Sequence, residues 1–161
     1  MRKEVIYTRN LPPLQKGDKL SSILIYNHQE EELDLHMLKT KKVYITIPSF
    51  TNQSIVNELS KLEAVFEQYK DIHFYLLSNE PVFTQKRLTK SRKFKVFKLL
   101  SDFKNRDFAR HTGTYIYEIS ALVKSIFVVD DTDTIRFVKY YEDLYSNIDA
   151  NEVKKYLDKL L

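Results

Sequence analysis

The sequence predicts an α/β fold: a mixed sheet flanked by helices, with a short N-terminal β extension, in a single domain covering 1–161. Three stretches carry that expectation. Residues 43–78 read strand, helix, strand, a βαβ unit whose strands are expected to run parallel with a right-handed crossover. Residues 125–130 (SIFVVD) and 134–141 (TIRFVKYY) flank the polar turn Asp131-Thr132-Asp133 and read as an antiparallel hairpin. Residues 151–161 close the chain as a helix, with Val153, Tyr156, Leu157 and Leu160 on one face and Asn151 as its cap.

The remaining elements follow in order. Residues 5–8 read as a short strand, and Pro12-Pro13 and Gly17-Asp18 then interrupt regular structure. Residues 22–27 (SILIYN) read as a strand, the acidic 30–34 as a turn or loop, and 35–38 as a helical turn. A β-branched run from Val43 ends at Pro48, and a polar loop covers 49–53. Ile55, Leu59, Leu62, Phe66 and Tyr69 then recur at spacings of three and four, one face of a helix. Ser54, just ahead of that periodicity, is the expected N-cap, and Glu58 adds negative charge in the first turns. A loop delivered by a strand onto a helix N-terminus gathers unpaired N–H groups and the positive end of the helix dipole, so 49–55 is the favoured place for chemistry. Residues 72–78 (IHFYLLS) form the next strand, 83–91 a helix, 96–102 a strand, and 105–111 a helical turn ended near Gly113.

Composition removes several classes of function. Hydrophobic residues make up 43% and charged residues 30% of the 161 positions, as in a globular domain with a real core. No apolar run approaches the roughly 20 residues that cross a bilayer, and MRKEVIYTRN lacks the apolar centre of a signal peptide. A cytoplasmic protein with no membrane partner is expected. There is no cysteine, which excludes a disulfide, a thiolate nucleophile and any cysteine metal site. His28, His36, His73 and His111 share no ligand spacing, so no metal or other cofactor is expected. Glu30 to Glu32 and Asp130, Asp131 and Asp133 read as solvated turns, without the glycine and terminal glutamate of a calcium loop. Two glycines, Gly17 and Gly113, cannot build a glycine-rich phosphate loop.

One charge run is less ordinary. Between Glu80 and Asp102 no acidic residue occurs, while Lys86, Arg87, Lys90, Arg92, Lys93, Lys95 and Lys98 supply positive charge with Phe83, Phe94 and Phe97 interleaved. A basic, aromatic face of this kind can bind nucleic acid or another polyanion, against the plainer reading of a solvated helix face and strand edge. The net charge of +4 allows an anionic partner without requiring one.

In sequence the elements run βαβ, helical connections, then ββα, the thioredoxin-like arrangement. Short motifs in matching order go further: Pro48-Ser49-Phe50 after the central strand, then Pro81, Phe83, Gln85 and Arg87 after the next. Leu100-Ser101-Asp102, Arg106 with Phe108, residues 125–130 and Gly17-Asp18 complete the set. Over nearly its whole length the chain resembles the thiol peroxidases, the atypical two-cysteine group of peroxiredoxins. The resemblance implies a peroxidatic cysteine on the first turn of the helix after the central strand, held as thiolate by the helix N-terminus and an arginine. A threonine and a proline shape its pocket, and a resolving cysteine on the following helix closes a disulfide that thioredoxin reduces. Position by position, the proline is Pro48, but the threonine falls at Asn52 and the peroxidatic cysteine at Ile55. The resolving cysteine falls at Thr89 and the arginine at Lys124.

Isoleucine offers no nucleophilic atom. The neighbouring Ser54 would need to form an alkoxide at neutral pH, and serine has no sulfenate chemistry. Lys124 keeps a charge but not the planar bidentate fork of arginine. The resemblance is therefore to a degenerate member lacking both catalytic cysteines, expected to have no peroxidase activity and to act as a non-catalytic binding or regulatory protein. Relatives of this type associate through the face beside the active-site loop, so a homodimer or another protein partner is expected there, on Phe50, Ile55 and the region of Phe108. The alternative is a polyanion- or nucleic-acid-binding module using 86–98, with Lys86, Arg87, Lys90, Arg92 and Lys93 as the anion-binding set.

Overall fold

The computed structural model describes residues 8–143 and 146–160. Of the strand expected at 5–8, residues 5–7 lie outside the described residues, as does Leu161 at the end of the last helix. Nine strands and four α-helices are described: β1 Leu24–Tyr26, β2 Glu32–Asp34, β3 Lys41–Thr46, α1 Gln53–Phe66, β4 Ile72–Ser78, α2 Val82–Leu88 and β5 Phe97–Ser101. They continue with α3 Asp107–Thr112, β6 Tyr115–Ile116, β7 Ala121–Leu122, β8 Lys124–Val129, β9 Ile135–Tyr141 and α4 Ala150–Leu160. Seven strands form one mixed sheet in the order β2-β1-β5-β4-β3-β8-β9, and β6 and β7 make a separate ribbon. Among the described residues no helix is long and apolar enough to cross a membrane.

The sheet separates two cores because successive strand residues point to opposite faces. Val43, Ile45, Phe74 and Leu76 pack with Ile55, Leu59, Leu62 and Phe66 of α1 and with Val153 and Leu157 of α4. Phe66 stacks on Phe74 at 4.8 Å between centroids. Tyr44, Leu77 and Phe127 face the other way, onto Phe108 and Ala109 of α3 and Leu20, Ile23 and Leu35 of the N-terminal segment. β3 pairs in parallel with β4 and antiparallel with β8, so the βαβ unit and the hairpin meet along β3. That strand delivers the loop at the N-terminus of α1.

Four local expectations are corrected. The acidic 30–34 segment is not all loop: Glu32–Asp34 pairs antiparallel with Leu24–Tyr26 as the N-terminal β extension. The Asn27 side chain closes that turn by accepting from the N–H groups of Gln29 and Glu31, with Glu30 at φ 60°. α1 is capped by Asn52, whose Oδ1 accepts from Ile55 N at 3.2 Å, while Ser54 is already helical. α4 is capped by Asp149 rather than Asn151, through the N–H groups of Asn151 and Glu152. The helix expected over 83–91 stops at Leu88. α3 ends as expected at Gly113, whose φ of 68° and close approach to the Leu11 carbonyl leave no room for a Cβ.

Candidate functional site

The loop from β3 to α1 is closed by its own side chains. Phe50 N–H and Ser49 Oγ both donate to the Glu80 carboxylate, each at 2.9 Å, and Thr51 N–H donates to Ser49 Oγ. Asn52 takes the Ile55 N–H. The N–H groups that could have met an external anion at 50, 51 and 55 are thus answered from within the chain. Pro48, at which the sequence ends the apolar run, is half-buried in the loop two residues beyond the end of β3. Ile55, the position to which the resemblance assigns a cysteine, is 2% exposed and belongs to the α1-side core with Ile47 and Phe50, so hydrocarbon occupies it.

The positive charge of Lys124, the position to which the resemblance assigns an arginine, is also committed. Lys124 is fully buried; its Nζ donates to Glu58 Oε2 of α1 at 2.5 Å and to the Ser146 carbonyl at 2.7 Å. Glu58 Oε1 accepts in turn from Ile148 N–H at 2.6 Å. Lys124 and Glu58 therefore tie β8, α1 and the segment leading into α4 together. Two of the three N–H donors of this ammonium, and its charge, are thus answered within the chain, and its Nζ also lies 5.5 Å from the centre of the Tyr141 ring.

Thr89 lies apart from this site, at the C-terminus of α2, donating its hydroxyl to the Gln85 carbonyl. It lines a separate cavity of about 800 Å³ together with Lys86, Lys90 and Lys93. Arg87 does not line that cavity, and Arg92 turns to α1, donating to Asn57 Oδ1. Of the five basic residues expected to act together, Lys86, Lys90 and Lys93 meet at the cavity, and Arg87 and Arg92 do not. Phe50, Ile55 and Phe108, expected on a contact face, are all buried, at 1%, 2% and 0% exposed. Isoleucine and phenylalanine at these positions complete the two cores and offer nothing to a partner.

Sequence reading missed three buried carboxylates. Asp133, expected in a solvated turn, is buried; it pairs with fully buried Lys42 at 2.5 Å and with His36 Nδ1 at 2.9 Å. Asp102 accepts from the N–H groups of Phe108 and Ala109, and burial pushes its carboxyl up to about 7 against those two bonds. Asp130 goes the other way: burial raises it, but the Thr132 hydroxyl, the N–H groups of Thr134 and Thr132, and Arg136 bring it down to about 2. A lysine inside an apolar strand, as at Lys42 and Lys124, was the available signal, since a buried ammonium requires a carboxylate partner.

No family model matches the chain. A thiol peroxidase of Clostridium acetobutylicum is 27% identical over 138 residues, 84% of each chain. One from Oceanobacillus iheyensis is 25% identical over 144 residues, 89% of this chain and 88% of the relative. Among solved structures, a peroxiredoxin-like protein from Aquifex aeolicus superposes with a TM-score of 0.87 at 21% identity, covering 96% of this chain and 92% of its own. The thiol peroxidase from Chromobacterium violaceum gives 0.85 at 18% identity, with 95% and 91% covered.

Proposed function

We propose that this chain, a cysteine-free relative of the thiol peroxidases with their peroxiredoxin-type, thioredoxin-like fold, has no peroxidase activity and works by binding. The observation that carries the reading is the state of the peroxidatic frame. Ile55 is packed into the core, and the cation at the family's arginine position is bonded to Glu58 and Ser146. Reduction of a peroxide by this family's route needs a thiolate to attack oxygen, and the chain has no sulfur nucleophile. Peroxide consumption in the presence of thioredoxin and its reductase tests this directly; turnover above the protein-free rate would overturn it.

A second reading concerns self-association beside the former site. The loop at 79–80 joins two surfaces: Glu80 binds the 49–50 loop, and Asn79 donates to the Ser120 carbonyl. Exposed Phe103 and Tyr117 flank a cavity of about 630 Å³ with Arg106 and Tyr115, and Ile119 is exposed next to Ser120. Exposed aromatic residues beside an arginine are the composition that association surfaces favour. A homodimer through this face would use Phe103, Tyr117 and Ile119 in place of the buried Phe50, Ile55 and Phe108.

A further inference from the structure

The 800 Å³ cavity lined by Thr89 belongs to neither surface just described. It opens where the sheet is incomplete. β5 pairs with β4 along its whole length, but with β1 only at Tyr26↔Ser101. The outer edge of β5 below that point therefore faces a gap between the β1–β2 turn on one side and α2 with its following turn on the other. Leu33, Tyr75, Phe94 and Leu99 give it an apolar wall. Lys86, Lys90, Lys93 and Lys98 surround it, and no aspartate or glutamate is among the lining residues. Among the described residues none of these four lysines makes an ion pair, although other lysines of the chain do. Four unmatched ammonium groups around one concavity raise the local potential, and a low-dielectric wall strengthens it.

The cavity also has one fixed polar wall. Gln85 is fully buried, and its Nε2 donates to Ser78 Oγ and to the Leu100 carbonyl, both at 2.9 Å. Both amide protons are then used, so Gln85 Oε1 is an acceptor and the His28 Nε2 that meets it at 2.8 Å carries the hydrogen. His28, a lining residue, is thereby held in one orientation and tautomer.

We infer that this cavity is a binding site for a small organic polyanion, a molecule with two or more phosphate-like charges on an apolar or aromatic body. The shape decides against a nucleic-acid strand. A polymer needs a continuous basic track, and here Arg92 is turned onto α1 while Lys86, Lys90 and Lys93 converge on a concavity. The volume suits a ligand of nucleotide size, within the range of about 300–1,000 Å³ usual for small-molecule sites. The apolar wall distinguishes an amphipathic anion from a bare one: phosphate alone would satisfy the lysines and leave Phe94 and Leu99 unused.

The inference rests on the reading of the chain as a binding protein but not on the state of Ile55, and its assay is independent of peroxide turnover. The test is a backbone-amide NMR titration of the full chain with ATP, inorganic tripolyphosphate and adenosine, each up to about 5 mM. ATP should shift the amides of His28, Lys90 and Phe94, and bind more tightly than tripolyphosphate, while adenosine does neither. Lys90→Glu with Lys93→Glu, both at exposed positions, should weaken ATP by at least about tenfold. Lys70→Glu with Lys155→Glu, which changes the net charge equally at exposed positions elsewhere, should weaken it by less than about twofold. Absence of shifts at these amides with both anions, or equal ATP affinity in the Lys90/Lys93 variant, overturns the site. A single-stranded oligonucleotide that displaces ATP and binds more tightly would overturn the small-molecule assignment.

Discussion

Lys124→Met removes an ammonium that is fully buried and makes two hydrogen bonds, leaving two groups behind. The Ser146 carbonyl loses its donor. The Glu58 carboxylate, whose side chain is 11% exposed, keeps only the Ile148 N–H. Removing one partner of a buried ion pair costs about 3–5 kcal/mol, because the surviving charge is stranded in low dielectric. Glu58 has slight solvent access, which places the expected loss near the lower figure, about 3 kcal/mol. Urea denaturation followed by circular dichroism reads this out: with a slope of about 1–3 kcal/mol per molar, the midpoint should fall by roughly 1–3 M. Adding Glu58→Gln to Lys124→Met removes the stranded charge and still offers Ile148 N–H an acceptor, so the double variant should recover at least about 1.5 kcal/mol. A Lys124→Met protein less than about 1 kcal/mol weaker than wild type, with no recovery in the double variant, would show that Lys124 is not held by Glu58. Its charge would then be free for chemistry, contrary to the reasoning above.

Other consequences follow from the same geometry. Ile55→Cys should cost about 1–3 kcal/mol through lost packing, and its thiol should stay protonated at neutral pH because it is buried in an apolar core and the nearby strand's Lys124 is already bonded to Glu58. Ellman's reagent should therefore label it no faster than the protein unfolds; rapid labelling at pH 7 would contradict this. Asp102 titrates at about 7 in the folded chain against an ordinary 3.8, so the native state holds the extra proton between those values. Its contribution to stability is full below the ordinary value and is lost as pH rises through about 7. Urea midpoints across that window should show the decline in wild type and a flatter profile in Asp102→Asn; parallel profiles would refute it. Asn offers one acceptor oxygen to two N–H groups, so that variant should also be about 1–3 kcal/mol weaker near neutral pH. Phe103→Glu with Tyr117→Glu should convert a dimer to a monomer in sedimentation equilibrium without altering the fold, whereas Phe50→Glu should unfold the chain; a dimer surviving the first pair would exclude this face.

Periodicity made much of the fold readable. Near-continuous apolar runs mark β3, β4 and β8, alternation marks β9, and the three-and-four spacing from Ile55 to Phe66 marks α1. β2 was hidden because only Leu33 is apolar in its acidic run, and its pairing depends on the Asn27 turn. The shift of the α1 cap from Ser54 to Asn52 is a matter of backbone conformation: Asn52 is extended at φ −81°, ψ 104°, and both residues have suitable side chains. At the candidate site, motif order pointed to positions 52, 55 and 124, but the partner of Lys124 was not legible. Glu58 lies 66 positions away, and no local pattern pairs them. The same limit applies to the basic segment, where Arg92 turns to Asn57 of α1 while Lys90 and Lys93 on either side of it line the cavity.

The central claim is that the peroxidatic frame survives as structure without its chemistry. Hydrogen peroxide consumption by the purified chain, coupled to thioredoxin and its reductase, tests that most directly. The account predicts a rate equal to the protein-free background. Sustained turnover that scales with the concentration of this chain would contradict it.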